Sequence, residues 1–338
     1  DLIWVKTRNQ TNWHWVSDSL RGTADKRYKL YPNDPSAEDT APIYGQADSI
    51  NDFGFVAGGG TDGSNPLSDS NQTGTNYICW SWKAGGSKFT YNKDGSGGSS
   101  ASDIGVSATT LTLTGASINT ESKFGIYAYT GSGSGGATIT HNLGGTPAFV
   151  IYKKRTGSSS SWQVYHKSLG GTKYMNLDED TDAYTSDSTR FGGTDPTSTT
   201  ITLGTHANDA VNTILYAWCD VPGLQKFGSY VATGQTDGPY IELGFRPRFI
   251  LCKSASSDAR NWMMFDSSRT TFNPMGAYLT ADGNGQEGTY TACDFLSNGF
   301  KVRATSAQEL NITNETYIYM AWAEAPSIDL FGGGANAR

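Results

Sequence analysis

A repeat of domain length constrains this chain more than any other feature. Lys123–Gly131 reads KFGIYAYTG, and Lys226–Gly234 reads KFGSYVATG. Downstream, HNLGGTPAFVIYKK (His141–Lys154) stands opposite IELGFRPRFILCK (Ile241–Lys253). Leu143, Gly144, Pro147, Phe149 and Lys153 are each matched one hundred residues later by Leu243, Gly244, Pro247, Phe249 and Lys253. SWQVYHKSL (Ser161–Leu169) then pairs with NWMMFDSSR (Asn261–Arg269), and NTILYAWCDVP (Asn212–Pro222) with TYIYMAWAEAP (Thr316–Pro326). The beginning of the chain supplies a third copy. DLIWVKTRNQTNWHWVSDSL (Asp1–Leu20) is similar to Ala148–Leu169, and NYICWSWKAG (Asn76–Gly85) closes it as the other two close. Self-similarity of this kind fixes the unit that has to fold.

Three units result, residues 1–86, 123–222 and 223–326. Each opens with a strand ending in Lys (Lys6, Lys153, Lys253). A Trp follows seven to nine residues later (Trp13, Trp162, Trp262), and a strand ending in another Trp (Trp82, Trp218, Trp322) closes the unit; these positions take six of the nine tryptophans. The first unit lacks the KFG lead-in strand and the LG-x-x-P turn, so the chain reads as one that starts inside a longer protein. Units near one hundred residues exceed solenoid repeats and are domain-sized. The expectation is therefore tandem beads, with residues 125–338 able to unfold cooperatively on their own. Residues 87–122 read as a Gly/Ser-rich linker with one strand-like run at Thr109–Leu113 and a mobile stretch at Gly95–Ser102. VPGLQKFG passes directly from the second unit to the third, which predicts rigid packing there. Residues 327–338 read as a C-terminal extension, expected to be poorly ordered.

Within units the apolar residues alternate. Ile78, Trp80 and Trp82 share one face, as do Ile214, Tyr216 and Trp218, and Ile318, Met320 and Trp322. Period two marks strands, and the opposite faces are apolar enough to be covered as well. Aromatics reach 12 %, and Gly/Ser/Asn/Asp clusters separate the runs, as in an all-β protein. The fold class is all-β, three β-sandwich-like units in tandem with the first truncated. The recurring tryptophans read as core. Lys6, Lys153 and Lys253 are expected to bury their stems and send the ammonium outward, or to pair with a carboxylate.

Chemistry is sparse. A net charge of −7 lacks the basic face of a nucleic-acid binder. No apolar run is long enough for a membrane helix. Cys79, Cys219, Cys252 and Cys293 fit no zinc spacing and read as free thiols in a reducing compartment, the first three buried in apolar strands. His14, His141, His166 and His206 show no metal-pair spacing. No cofactor is implied. Asp178, Asp180 and Asp182 alternate in DEDTD as weak calcium candidates, but the turn Gly and distal Glu of an EF-hand are missing. Recognition belongs in the loops that vary between copies. The candidates there are the aromatics Trp15, Tyr91, Tyr174, Tyr184, Phe191 and Tyr240.

The stretches WVKTRNQTNWHW, TPAFVIYKKR…WQVYHKSLGGTKYMNL and KFGSYVATGQTDGPYIELGFRPRFILCK…TYIYMAWAEAP resemble repeat regions of tail-fibre and virion structural proteins of marine, cyanophage-like bacteriophages. The ending NAR shortly after YMAWAEAP is similar to C-termini of that group, and the resemblance spans the whole chain. It implies a β-rich virion component made in the host cytoplasm, carried on the extracellular particle among other virion proteins. It further implies contact with a host cell-surface receptor, polysaccharide in class, and homo-oligomers, trimers above all. The alternatives are a capsid or tail decoration protein without a receptor role, and a depolymerase of surface polysaccharide. The last would require two facing carboxylates in a groove. No catalytic residue carries over, and a non-enzyme is expected.

Overall fold

The computed structural model describes residues 1–23, 25–51, 54–86, 89–184 and 187–324. The expectation made for residues 327–338 lies outside that set. The fold is all-β, and one short 3-10 turn (Ser102–Ile104) is the only helical element among the described residues.

In the first unit the strands are β1 (Leu2–Thr7), β2 (Trp15–Asp18), β3 (Gln46–Asn51), β4 (Gly54–Gly58) and β5 (Tyr77–Trp82). β1 lies between β2 and β5, antiparallel to both. The β3–β4 hairpin covers the outer face, where Ile3, Val5, Trp15, Ala47 and Ile50 are buried together.

The segment expected as a Gly/Ser-rich linker, mobile at Gly95–Ser102, is instead built into the second unit. It forms β6 (Tyr91–Lys93), β7 (Ser96–Gly98), β8 (Ser107–Thr109) and β9 (Thr112–Asn119). β9 pairs with the KFG strand β10 (Phe124–Thr130), β6 lies parallel to β9, and β7 pairs with β6. Ala116 and Ile118 on β9 are fully buried beside Tyr127. The Asp103 carboxylate accepts from the backbone N–H groups of Ser99 and Ser100, both at 2.9 Å. A Gly/Ser-rich composition thus gives tight turns here rather than coil.

The second unit continues with β11 (Ala137–Thr140), β12 (Pro147–Lys154), β13 (Gln163–His166), β14 (Met175–Asn176), β15 (Thr200–Leu203) and β16 (Asn212–Cys219). Its main sheet runs β10-β16-β12-β13-β14, and β15-β11-β8 form the outer layer. The third unit has β17 (Gln225–Val231), β18 (Tyr240–Glu242), β19 (Pro247–Ser254), β20 (Met263–Asp266), β21 (Met275–Thr280), β22 (Gly288–Leu296), β23 (Gly299–Val302) and β24 (Thr316–Ala323). Its order β17-β24-β19-β20-β21 matches the second unit, and β22, β23 and β18 extend the sheet. Register is shared too: Leu2, Phe149 and Phe249 stand opposite Trp82, Trp218 and Trp322. The two KFG strands are the exception. Phe124 faces Trp218, but Phe227 faces Met320, and Gln225 takes the place opposite Trp322. A slip of two residues keeps every side chain on its own face, so the apolar pattern tolerates it.

The expectation of beads is corrected by the core. The main sheets of the three units contribute their inner faces to one buried cluster that includes Leu2, Trp4, Trp80, Phe124, Phe149, Trp218, Phe249, Met320 and Trp322. At its centre the three closing tryptophans meet edge to face: Trp82–Trp218 at 6.0 Å, Trp82–Trp322 at 5.3 Å and Trp218–Trp322 at 6.1 Å between centroids. Aromatic edges carry the positive end of the ring quadrupole and faces the negative end, which favours this geometry. The units are three sides of one body.

The junctions between sides recur. The Glu38 backbone N–H donates to the Arg155 carbonyl at 2.9 Å, and the Glu38 carboxylate accepts from the Arg155 guanidinium at 2.9 and 2.8 Å. Glu287 treats Arg8 the same way, at 2.8 Å through the backbone and 2.9 Å at both guanidinium contacts. The expectation for the recurring lysines also changes, because all three ammonium groups point inward. Lys153 Nζ donates to the carbonyls of Pro35 and Ser160, and Lys253 Nζ to those of Asp180, Thr181 and Ser254. Lys6 Nζ donates to those of Thr7 and Gln10. Lys153 and Lys253 therefore tie each side to a loop of the side before it.

Burial pushes Lys153 down to about 8, against the attraction of Asp178. An unfolded lysine titrates near pH 10.4. Between about pH 8 and 10 the unfolded chain then holds the extra proton, and stability rises with pH by up to about 1.4 kcal/mol per unit for that group. The buried thiols act in the opposite sense but cancel in a comparison of variants. We expect the stability difference between wild type and Lys153→Met to move in favour of wild type over this range in urea titrations. A pH-independent difference would show that the carbonyl cage keeps the ammonium charged.

Candidate functional site: an aromatic groove on the first unit

The TNWHWV stretch decides what the first unit exposes. Val5 pairs with Trp15 in β1–β2, and Tyr152 with Gln163 in the corresponding pair. His14 is therefore the residue that stands where Trp162 and Trp262 stand. The caps agree: the backbone N–H of His14, Trp162 and Trp262 donates to the side chains of Asn33 (2.9 Å), Asp178 (2.8 Å) and Asp282 (3.0 Å). Trp162 and Trp262 are buried as expected, but Trp13 is not a core residue and is 41 % exposed. Trp15, nominated as a ligand contact, is enclosed: it is 1 % exposed, packs edge-on to Phe55 and donates Nε1–H to the Asp69 carbonyl at 2.9 Å. Alternation along the strand puts Trp15 on the covered outer face and leaves Trp13 just before the strand begins.

Trp13 forms one wall of a groove of about 560 Å³, with Tyr31, Tyr44 and Ile43 as the other apolar surfaces and Asn12, Asn65, Gln72, Asp39 and Asp69 as the polar ones. The Trp13 and Tyr31 rings meet edge to face at 5.0 Å. Tyr31 donates its hydroxyl to Asp39 Oδ2 at 2.7 Å, and burial together with that bond pushes the phenol above its usual range. Beneath lies Lys29, fully buried, bonded to Asp69 Oδ2 at 2.6 Å and the Gly45 carbonyl at 2.9 Å. Its ammonium sits 5.3 Å from the Tyr31 ring and 5.7 Å from Trp15, within cation–π range. Burial pushes the Asp69 carboxyl up, against Lys29. The floor is thus locked by charge while Tyr44 and Ile43, 44 % and 45 % exposed, stay open to solvent.

The remaining candidates are dispersed. Tyr174 and Tyr184 do meet, stacked at 4.8 Å, with the Arg190 guanidinium 4.9 Å above Tyr174. Tyr174 is buried there and Tyr184 is at the surface. Phe191 is enclosed between Tyr152 and Tyr165. Tyr91 is half-buried, its hydroxyl on the Leu113 carbonyl at 3.0 Å. Tyr240 is exposed at the start of β18, its hydroxyl on the Asn298 carbonyl at 3.3 Å.

Asp178, Asp180 and Asp182 do not converge, and no group of three metal-ligating side chains exists among the described residues. Asp178 serves instead as the Trp162 cap, and burial raises it to about 6. Cys219, Cys252 and Cys293 are buried free thiols, whereas Cys79, expected to be buried, is exposed on β5. Burial lowers all four imidazoles, His166 to about 3 and His206 to about 4, so they are poor bases near neutrality. No helix among the described residues is long and apolar enough to cross a membrane.

Sheets packed around a shared aromatic core, with an aromatic and amide-lined groove on an outer loop cluster, define an all-β protein. The chain belongs to the family described as Domain of unknown function (DUF7483), whose model matches residues 1–326. No curated protein and no solved structure matches it.

Proposed function

We propose that this chain is a glycan-binding component of a bacteriophage tail fibre or related appendage, presenting the groove at Trp13 to polysaccharide on the host surface. The observation that carries the reading is the exposed Trp13 ring beside Tyr44 and Tyr31, in a groove edged by Asn12, Asn65 and Gln72. Sugars offer an apolar ring face and a belt of hydroxyls, and an open aromatic with nearby amides and carboxylates complements both. The whole-chain resemblance to marine phage fibre proteins supports the setting. Both carboxylates in the groove are already engaged, Asp69 by Lys29 and Asp39 by Tyr31. That favours binding over the paired acid and base that hydrolysis requires. One groove per chain would bind weakly, and assembly of several chains on one particle would convert this to avidity.

The test is retention of the purified protein on immobilised surface polysaccharides of marine bacteria, compared with Trp13→Ala. Losing an exposed stacking surface should weaken binding at least tenfold, equivalent to about 1.4 kcal/mol, with an unchanged melting temperature because Trp13 is not in the core. Retention that does not depend on Trp13, or no retention on any polysaccharide, would overturn the reading.

A further inference from the structure

Among the described residues, Lys29 is the lysine whose ammonium is enclosed against a carboxylate. Its side chain is 1 % exposed and that of Asp69 12 %, with Nζ 2.6 Å from Asp69 Oδ2. In the pairs Lys154–Asp209, Lys167–Asp220 and Lys301–Asp237 the carboxylate stands in solvent. The recurring Lys6, Lys153 and Lys253 are enclosed too, but their ammonium groups donate to carbonyls.

Both ends of the Lys29–Asp69 contact are held by their backbones. The Lys29 N–H donates to the Asp39 carbonyl at 3.0 Å, and the Asp39 N–H returns a bond to the Lys29 carbonyl at 2.9 Å. The Asp69 N–H donates to the Tyr44 carbonyl at 2.7 Å, and the Asp69 carbonyl accepts the Trp15 indole N–H at 2.9 Å. The ammonium is further fixed by the Gly45 carbonyl at 2.9 Å and by the Trp15 and Tyr31 rings. Burying two opposed charges is costly, and their attraction offsets only part of the cost. A neutral, hydrogen-bonded group in the same place avoids it. Burial, helped by the Asp39 charge, pushes the Asp69 carboxyl up towards the neutral acid, against the attraction of Lys29 and Lys6.

We propose that Lys29 and Asp69 condense to an intramolecular amide that joins Nζ to Cγ and releases one water. The ammonium passes a proton to the carboxylate, the freed Nζ lone pair attacks Cγ, and the N–C bond forms as one C–O bond breaks. Two of the three ammonium protons leave with that oxygen as water, and the third stays on the amide nitrogen. No oxidant, reductant or co-reactant enters. Reactants held in contact in this way reach effective molarities of about 10⁵–10⁸ M, and enclosure keeps water from the reverse hydrolysis. The Gly45 carbonyl, which accepts from Nζ, stays in place as the acceptor for the amide N–H. The bond clasps a span of forty residues of sequence, the segment that carries Tyr31, Asp39, Ile43 and Tyr44 into the groove. The β3–β4 hairpin is its regular structure, so a covalent clasp would fix the groove walls whatever they bind.

Mass spectrometry of the purified full chain tests this. The denatured protein should weigh less than its sequence by one water, about 18 Da. Trypsin should not cut after Lys29, giving Tyr28–Lys83 as one peptide that carries the loss. Chymotrypsin should then leave the Lys29 and Asp69 segments joined. Lys29→Arg, which keeps the positive charge but lacks the amine, should have the full sequence mass. A wild-type chain of full mass would overturn the proposal. So would a loss of water with normal cleavage after Lys29, since that places the dehydration at another residue.

Discussion

Glu38→Ala is expected to destabilise the protein by about 3–5 kcal/mol, the cost of removing one partner from a buried ion pair. The Glu38 carboxylate is 4 % exposed and accepts from Arg21 Nη1 at 2.9 Å and from two nitrogens of Arg155. Arg21 is fully buried, and Asp18 alone, at 2.6 Å, would remain to balance it. Surface pairs give way cheaply because water replaces the lost partner. Here the Arg21 side chain is fully buried, and its Nη1 would be left with a long contact to the Tyr28 carbonyl at 3.5 Å. The contact also joins the first side to the second across more than one hundred residues of sequence, so its loss should loosen the junction as well as the pair. Equilibrium urea unfolding of wild type and Glu38→Ala measures it. A loss below about 1 kcal/mol would mean that the two arginines find new partners or solvent. Glu287, which binds Arg8 and Arg269 at the junction between the third and first sides, should behave alike.

How far the sequence discloses this architecture depends on the residue. Strand faces were legible because alternation is local: Ile214, Tyr216 and Trp218 sit inward in the structure as the pattern predicts. The inward side of three sheets meeting at one core was not, since an apolar face reads the same whether it closes on its own unit or on two others. The buried lysines were misread for a related reason. The carbonyls that receive Lys153 and Lys253 belong to loops of the preceding side, so no local pattern announces them. Composition misled at residues 91–119, where glycine and serine shape turns between paired strands. The groove was hidden by a one-residue alignment choice: WHWV offers two tryptophans, and only the partner of β1 shows that His14 holds the repeat position. The usable signal was the alternation itself, which sets Trp13 and Trp15 apart from His14.

Trp218→Ala should cost about 3–5 kcal/mol and should do so in a single transition. The Trp218 ring stacks on Phe124 at 4.7 Å and Phe149 at 5.2 Å, and meets Trp82 and Trp322 edge-on. Its contacts therefore reach all three sides. If the sides were independent domains, the substitution would split the unfolding curve, shifting the second unit and sparing the others. With one shared core the whole curve moves together, because each side has lost packing that only the other two supply. Its indole N–H is buried without an acceptor among the described residues, a cost of about 1–3 kcal/mol that the tryptophan carries in the folded state. Trp218→Phe removes that burden while keeping most of the stacking on Phe124 and Phe149, so it should lose less than half of what Trp218→Ala loses. Tryptophan and far-ultraviolet signals followed through the same calorimetric and urea transitions decide between the two pictures: coincident curves for every variant are the result a single three-sided core demands.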